Sequence, residues 1–237
     1  MAIYAISDLH LAKSIDKPMD IFGARWGNYM EKLEKSWKET LQDSDIVIIP
    51  GDISWATYLE QATEDFMFID SLPGKKIISK GNHDYWWTTM NKLEKFLEAN
   101  NFSTISFLHN NSYIIEGKIL CGTRGWKCPG DDNFTGEDRK IFNREIQRLE
   151  LSLKSTLQEN EGRETIVAFH YPPFNSKGEP SQFIDVLKKY NVSTCLYGHI
   201  HGEGCKYAVE GELEGIDFRF ISADYLEFKP IKIHGEK

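Results

Sequence analysis

Short apolar runs that end abruptly in polar residues recur along the chain. Five runs are present: residues 3–6 before Asp8, residues 46–49 before Gly51 and Asp52, residues 76–78 before Gly81 and Asn82, residues 165–169 before His170, and residues 194–197 before Gly198 and His199. They show no alternation of apolar and polar positions, which is typical of strands in a sheet that is covered on both faces.

Apolar positions at helical spacing lie between these runs, at residues 29–41, 58–69, 90–97 and 138–157. The order strand, helix, strand predicts an α/β fold. Two further strands, residues 112–115 and 118–122, are predicted to form a hairpin. The tail alternates at residues 218–221 and 226–233, which predicts late antiparallel strands that complete a second sheet. We therefore expect two packed sheets with helices outside them.

The length and composition favour one domain that spans residues 1–237. A chain of 237 residues with 41% apolar content can build one sizeable core. No apolar run approaches the roughly 20 residues of a membrane span, and the start of the chain lacks the basic end and cleavage site of a signal peptide. We expect a cytoplasmic protein with no membrane partner.

The charge and the cysteines each exclude a class of protein. The formal net charge of −8 disfavours long nucleic acid as a partner, although a local basic pocket can still hold a small phosphorylated substrate. The four cysteines show no Cys-x-x-Cys spacing. We expect buried free thiols, not disulfides or a zinc ribbon.

Every polar cluster follows the carboxyl end of a predicted strand, the edge where open α/β sheets place their ligands. Clusters on one edge can converge in space. In Asp8-Leu9-His10 and His199-Ile200-His201, the outer residues of each triplet are two positions apart, so their side chains point the same way in extended chain. We expect each pair to bind one metal ion.

The candidate ligands combine carboxylate and amide oxygens with imidazole nitrogens. They are Asp8, His10, Asp52, Asn82, His170, His199 and His201. Because the set contains no thiolate, it favours Mn, Fe or Zn over Ca or a structural zinc site. Asp52 suits a bridging position because a carboxylate offers two oxygens, and Asn82 can add a neutral amide oxygen.

A centre with two such ions indicates which reaction the protein would catalyse. Ions about 3.5–4 Å apart can hold one hydroxide between them and stabilise the attacking and leaving oxygens of an in-line displacement. We therefore expect hydrolysis of a phosphate ester by attack of the bridging hydroxide. His83 is expected to act as an acid or hydrogen-bond donor to the leaving group, with Asp84 orienting its ring.

The order of the clusters resembles a known family. Asp8-x-His10, Gly51-Asp52, Gly81-Asn82-His83-Asp84, His170 and Gly198-His199-x-His201 are similar to the five ordered motifs of the calcineurin-like metallophosphoesterase superfamily. A single Asp-x-His pair carries a high risk of false assignment, whereas the combination spans residues 8–201. The two histidines outside the motifs, His109 and His234, are predicted to be ordinary surface or turn residues.

The resemblance implies a four-layer αββα sandwich of two mixed β-sheets flanked by helices, with His83 as the catalytic histidine. It also implies that Asp8, His10, Asp52 and His201 hold one ion, and that Asp52, Asn82, His170 and His199 hold the other. The residues after Asp84 are Tyr85-Trp86-Trp87, with no arginine of the kind that protein phosphatases direct at phosphate. This difference argues against protein phosphatase activity.

Three functions remain open on the sequence. The leading one is a metal-dependent phosphoric ester hydrolase that acts on a phosphomonoester or phosphodiester of small or medium size. The others are a nuclease for short substrates and a non-catalytic metal-binding scaffold of the same fold. The presence of His83 and of all seven ligands favours the hydrolase over the scaffold.

Two loop arginines and an aromatic cluster are further candidates. Arg25 directly precedes Trp26 and Arg124 lies two positions before Trp126, both in loops near a motif strand, and an arginine fork suits a substrate phosphate. Surface packing of the arginine stems is the alternative. The rings of residues 85–87 are expected to pack against the core or to border the cleft.

Overall fold

The computed structural model describes residues 1–17, 19–155 and 162–235, without the side chain of Phe22. The strands are β1 (Ile3–Ala5), β2 (Ile46–Pro50), β3 (Lys75–Ser79), β4 (Ile105–Phe107), β5 (Tyr113–Ile115), β6 (Lys118–Thr123), β7 (Thr165–Phe169), β8 (Val192–Tyr197), β9 (Gly211–Leu213), β10 (Ile216–Phe220) and β11 (Ile231–His234). The α-helices are α1 (Tyr29–Thr40), α2 (Thr63–Ser71), α3 (Met90–Asn100), α4 (Gly136–Lys154) and α5 (Gln182–Lys189).

The strands form two mixed sheets. The first has five strands in the order β11-β1-β2-β3-β4, and the second has six in the order β5-β6-β7-β8-β10-β9. In the first sheet β1 to β4 run parallel and β11 is antiparallel. In the second sheet β6, β7, β8 and β10 run parallel, with β5 and β9 antiparallel at its edges.

Both sheets are covered on both faces. Alternate residues of the strands enter different cores: Ile48 of β2 and Ile166 of β7 pack between the sheets. Val47 of β2 lies in the core beneath α1, α2 and α3, and Val167 of β7 lies in the core beneath α4 and α5. The predicted αββα sandwich is therefore confirmed, because each apolar strand has a hydrophobic layer on either side.

The tail of the chain differs from the prediction. β11 pairs antiparallel with β1, so it belongs to the first sheet and does not complete the second. β10 runs parallel to β8 and not antiparallel as predicted. The chain re-enters the second sheet at β9, which pairs antiparallel with β10, so the turn between these two strands sets the direction of β10. Residues 226–230 contain no strand.

Helix boundaries were predicted to within a few residues. The predicted helix at residues 58–69 consists of a 3₁₀ turn, Leu59–Ala62, followed by α2. The longest helix begins at Gly136, and residues 156–157 of its predicted range lie outside the described residues. Among the described residues, no helix is long and apolar enough to cross a bilayer. The four cysteines are buried thiols, as predicted.

Candidate metal centre

The predicted ligands lie together at the carboxyl edge of both sheets. Backbone hydrogen bonds hold the loops that follow the strands: the Asp8 N–H donates to Gly51 O at 3.0 Å, and the Gly198 N–H donates to His170 O at 3.1 Å. The first sheet supplies Asp8 and His10 after β1, Asp52 after β2 and Asn82 after β3, and the second supplies His170 after β7 and His199 and His201 after β8.

Six of these residues form two groups whose ligand atoms lie within 4.8 Å of one another. One group is Asp8, His10 and His201, and the other is Asp52, His170 and His199, so Asp8 and His10 share a group as expected, whereas His199 and His201 do not. Asn82 joins the second group, since its Oδ1 lies 2.7 Å from His170 Nε2. Asp52 Oδ2 lies 3.7 Å from His10 Nε2 and 3.5 Å from His170 Nε2, so this carboxylate faces both groups.

The spacing of the donor atoms fits divalent cations. His10 Nε2 lies 3.3 Å from His201 Nε2, and His199 Nδ1 lies 3.2 Å from His170 Nε2. Nitrogens bound to one zinc-like ion at about 2.0–2.1 Å stand about 3.0–3.4 Å apart. The donors also match the mixture of imidazole nitrogen and carboxylate oxygen that Mn, Fe and Zn accept.

Burial sets the protonation of the centre. It lowers the pKa of His10 to about 3 and that of His199 to about 4, which keeps both imidazoles in the neutral form that binds metal. Burial also raises the pKa of Asp52, and the neighbouring carboxylates of Asp84 and Asp8 raise it further. Such repulsion between buried carboxylates is relieved by a cation, which is a second reason that metal fits here.

Residues outside the predicted ligand set orient the ligands. Asp8 accepts hydrogen bonds from Ser7 Oγ and, at 2.9 Å, from Ser222 Oγ. Asp224 Oδ1 lies 2.8 Å from His201 Nδ1. Burial opposes charge on His201, but the hydrogen bonds to Asp224 and Asp8 outweigh it and raise the His201 pKa to about 10.

Sequence reasoning missed Ser222 and Asp224. They follow the apolar strand β10 at the same sheet edge, with exposures of 0% and 1%. The signal that identified the ligands, a polar cluster after an apolar strand, therefore exists here too.

Asp84 does not make the contact that was predicted for it. Its carboxylate accepts hydrogen bonds from the backbone N–H groups of Asp52 at 2.9 Å and Gly81 at 2.7 Å, and from Trp86 Nε1 at 3.0 Å. His83 Nδ1 has no hydrogen-bond partner among the described residues. The expectation that Asp84 orients the His83 ring is therefore corrected: Asp84 fixes the turns that carry Asp52 and Asn82, because its oxygens point at their backbone.

His83 borders an open cleft of about 560 Å³. Its ring centroid lies 4.4 Å from that of Trp55, and its backbone N–H donates to Asp52 Oδ1 at 2.8 Å. Burial lowers the His83 pKa. Tyr85 is exposed at the border of this cleft, whereas Trp86 is buried in the core, so both expectations for the aromatic cluster are met.

The two candidate arginines have different surroundings. The Arg124 guanidinium lies 4.4 Å above the Trp126 ring and 3.5 Å from Glu145 Oε1. Arg25 is exposed, while its neighbour Trp26 is buried with its ring 5.8 Å from that of His10. Neither arginine borders the cleft beside His83.

The backbone at the centre is strained. Asp8, His10, Asp52 and His199 have φ values of 61°, 47°, 52° and 74°. Non-glycine residues in this left-handed region cost about 1–3 kcal/mol each and persist only where surrounding structure enforces them. Four of the thirteen non-glycine residues with positive φ in the described part of the chain are therefore proposed ligands, so part of the backbone strain lies at the centre.

Comparison with known proteins gives a family and a fold. The calcineurin-like phosphoesterase family matches residues 1–203. The solved structure of phosphopantetheinyl hydrolase (PptH) from Mycobacterium tuberculosis is 12% identical and superposes with a TM-score of 0.60 over 99% of this chain and 96% of that one. The protein of unknown function AQ665 from Aquifex aeolicus is 19% identical, with a TM-score of 0.53 over 98% and 95% of the two chains.

A third solved structure, TT1561 of Thermus thermophilus, is 13% identical, with a TM-score of 0.53 over 84% of this chain and 81% of that one. At these identities the likeness concerns the fold alone. No functionally curated protein matches the sequence. Because the family match covers residues 1–203 of 237, and those residues contain all seven predicted ligands, the chain belongs to the calcineurin-like phosphoesterase family.

Proposed function

We propose that the protein is a metal-dependent hydrolase that cleaves a phosphomonoester or phosphodiester bond in a small phosphorylated substrate. The observation that carries the proposal is the convergence of two ligand groups that both face Asp52, beside a cleft that contains His83. Two divalent ions, Mn, Fe or Zn, would occupy the centre.

The ligands divide between the two positions. Asp8, His10 and His201 would hold one ion, Asn82, His170 and His199 the other, and Asp52 would contact both. Ions bound there would polarise the phosphoryl oxygens and lower the pKa of a water molecule. The raised pKa leaves His201 protonated on both nitrogens in the metal-free chain, and Asp224 would keep the proton on Nδ1 when metal binding displaces the one on Nε2.

His83 would assist the leaving group. Its ring borders the cleft but lies outside both ligand groups, so it can approach a substrate oxygen without binding metal. We propose that a ring N–H of His83 donates a hydrogen bond or a proton to the leaving oxygen. Contact of Arg25 or Arg124 with the substrate stays a prediction from the sequence, since neither lines the cleft beside His83 and Arg124 contacts Trp126 and Glu145.

Elemental analysis combined with hydrolysis tests the proposal directly. The purified protein is expected to contain about two divalent ions per chain. It should hydrolyse 4-nitrophenyl phosphate or bis(4-nitrophenyl) phosphate with Mn added and lose this activity in a chelator. Bound metal without hydrolysis of either ester or of a nucleotide panel would favour the scaffold, and absence of metal would reject the centre itself.

Two substitutions separate the roles of His83 and Asp52. We expect His83→Ala to retain metal and, on an ester with an alkyl leaving group, to lose about 10²- to 10⁴-fold in kcat, the usual contribution of general acid–base catalysis; 4-nitrophenolate leaves without a proton, so its esters should lose less. Asp52→Ala should lose metal, because the carboxylate faces both groups. His234→Ala and Asp43→Ala are the matched controls, because both residues are exposed and lie at the sheet edge opposite the ligands, His234 beside Ile3 and Asp43 before β2. Equal loss of metal in both test variants would contradict the division.

A further inference from the structure

Two separate clefts open beside the metal centre. The cleft of about 560 Å³ is bordered by His10, His83 and His201, and a second cleft of about 370 Å³ is bordered by His199 and Tyr171. The two share no lining residue, and each adjoins a different ligand group. Both volumes fall in the range of about 300–1,000 Å³ that is usual for sites of small organic ligands.

The first cleft lies on the side of the leaving group. His83, the proposed donor to that group, is in its wall together with Trp55 and Tyr85. Lys17 Nζ lies 3.4 Å from the centroid of the Trp55 ring, so the wall is aromatic with one positive charge above it. An organic group that leaves from phosphorus beside His83 would occupy this cleft.

The second cleft is mainly apolar and contains no counterpart of His83. Its wall next to the centre is the Tyr171 ring, which packs 3.9 Å from the His199 ring and 5.1 Å from the Trp126 ring, measured between centroids. Farther out, Ala208 and Val209 line the cleft, and Tyr207 is 71% exposed at its border. Lys127, Asp131 and Asp132 also line the cleft, and its larger apolar part suits an apolar or aromatic group.

We propose that the substrate is a phosphodiester whose leaving group occupies the cleft at His83 and whose retained group, apolar or aromatic, occupies the cleft at Tyr171. The inference rests on the proposed hydrolase activity and narrows it. A monoester carries one organic group, which would fill the first cleft and leave the second in contact with water alone. A diester carries two organic groups, so it accounts for both clefts.

The reaction is a hydrolysis that balances without another reactant. The oxygen of one water molecule forms a bond to phosphorus, and the bond from phosphorus to the leaving oxygen breaks. His83 gives a proton to the leaving oxygen and regains one from solvent, into which the attacking water releases its two protons, so the net result is one proton on the leaving oxygen and one in solvent. The products are an alcohol from the first cleft and a phosphomonoester whose organic group lies in the second.

Three esters with a common 4-nitrophenolate leaving group test the proposal on the Mn-loaded protein. They are phenyl 4-nitrophenyl phosphate, methyl 4-nitrophenyl phosphate and 4-nitrophenyl phosphate. Because the leaving group is constant, differences in kcat/KM report the rest of the substrate. We expect the phenyl diester to exceed the methyl diester and the monoester by at least about tenfold, the effect of placing one small apolar group in a pocket.

Substitutions in the second cleft test whether the preference for the phenyl diester arises there. Ala208→Trp narrows the cleft and should lower kcat/KM for the phenyl diester at least tenfold while changing the methyl diester less than twofold. Tyr207→Ala, at an exposed position that does not endanger folding, should reduce the ratio of phenyl to methyl diester about threefold. Ala99→Trp, on the exposed side of α3, is the control and should change neither.

The outcomes separate this inference from the proposed function. Turnover of the monoester as fast as the phenyl diester would reject the two-group substrate but leave the hydrolase intact. An equal loss on both diesters in Ala208→Trp, together with an unchanged ratio in Tyr207→Ala, would also reject it. No metal-dependent turnover of any ester would reject both proposals.

Discussion

At the scale of single residues, Asp224 is the least expected member of the centre. It lies outside the ligand set, is buried, and contacts both His201 Nδ1 and, at 2.9 Å, the N–H of Gly202. Carboxylates that bond to the distal nitrogen of a ligating histidine fix its tautomer and raise its basicity. The position of His201 therefore depends on a residue more than 20 places later in the chain.

Asp224→Asn tests this dependence. We expect metal affinity to fall about 10- to 100-fold, because the amide keeps the shape of the side chain but removes the charge that favours the required tautomer. Titration of the metal-free protein with Mn measures the affinity. Asp217→Asn, whose carboxylate bonds to Arg219 Nε at 2.7 Å, is the control. Unchanged affinity in Asp224→Asn would show that His201 is oriented without it.

Gly198 marks a close approach between the two sheets. A Cβ built there would overlap Ser7 Oγ and Asp8 Oδ2, so the glycine allows the second sheet to reach the first. Gly198→Ala should lower the free energy of unfolding by about 1–3 kcal/mol, the usual cost of overpacking. Urea denaturation measures it. In Gly136→Ala the new Cβ meets nothing within 4 Å, so this control should be at least as stable as the wild type.

The ligands were predictable from sequence for a physical reason. Each follows a strand that is apolar on both faces. Such a strand ends where its apolar run stops, as the run at Ile49 stops at Pro50 and Gly51. Asp224 shows the limit of that reasoning. Its strand was predicted, but nothing in the local sequence reveals that its carboxylate contacts a histidine of another loop, since that contact depends on the packing of both.

At the scale of elements, β3 contains a buried lysine that links its neighbours. Lys76 has 0% exposure, and its Nζ donates to the Leu72 carbonyl at the end of α2 and to Thr104 Oγ1, before β4, at 3.0 Å. Burial lowers the Lys76 pKa from 10.5 to about 8. The ammonium thus connects α2 to the loop before β4. Removing its positive charge from water costs free energy.

This lysine predicts a pH dependence of stability. Between pH 8 and 10.5 the unfolded chain keeps a proton on Lys76 that the native state has lost, so the contribution of this group to stability rises with pH. Compared with Lys76→Met, the wild type should therefore gain unfolding free energy from pH 7 to pH 10, as measured in urea. Lys75→Met, at the exposed neighbouring position, should show no such trend. A constant difference for Lys76→Met would contradict the shift.

The elements that sequence reasoning missed are short or lack clear periodicity. β4 and β9 have three residues each, too few for a pattern to emerge, and α5 has eight. β11 was predicted but assigned to the wrong sheet, because alternation reports which face is buried and not which strand lies alongside. β11 pairs with β1 because the chain leaves the second sheet after β10 and returns to the edge of the first sheet.

At the scale of the whole molecule, the centre draws ligands from both sheets. The ligand residues of the centre were predictable from the order of the motifs. The single domain at residues 1–237 remains a prediction. The two clefts were not predictable, because loops that carry no repeated pattern form their walls, such as residues 55–57 at the first cleft and residues 171–176 at the second. Metal binding should therefore stabilise the sandwich as a unit, since each proposed ion contacts both sheets.

Thermal unfolding tests this coupling. Mn at about 100 times its dissociation constant should add about 2.7 kcal/mol for each bound ion, or about 5 kcal/mol for two, which raises Tm by about 10–20 °C for a chain of this size. Chelator should abolish the increase. Asp52→Ala should show no increase, and Asp43→Ala should behave as the wild type. An increase that persists in Asp52→Ala would place the stabilising ion elsewhere.

The left-handed backbone at His10 and His199 has a consequence for protein engineering. Glycine accepts φ values of 47° and 74° without penalty, so it would relieve strain at both positions in the metal-free chain. Each replacement would also remove a packed imidazole, that of His10 from Trp55 and that of His199 from Tyr171, so the lost packing opposes the relief of strain. At these two positions, backbone conformation and chemistry favour different amino acids.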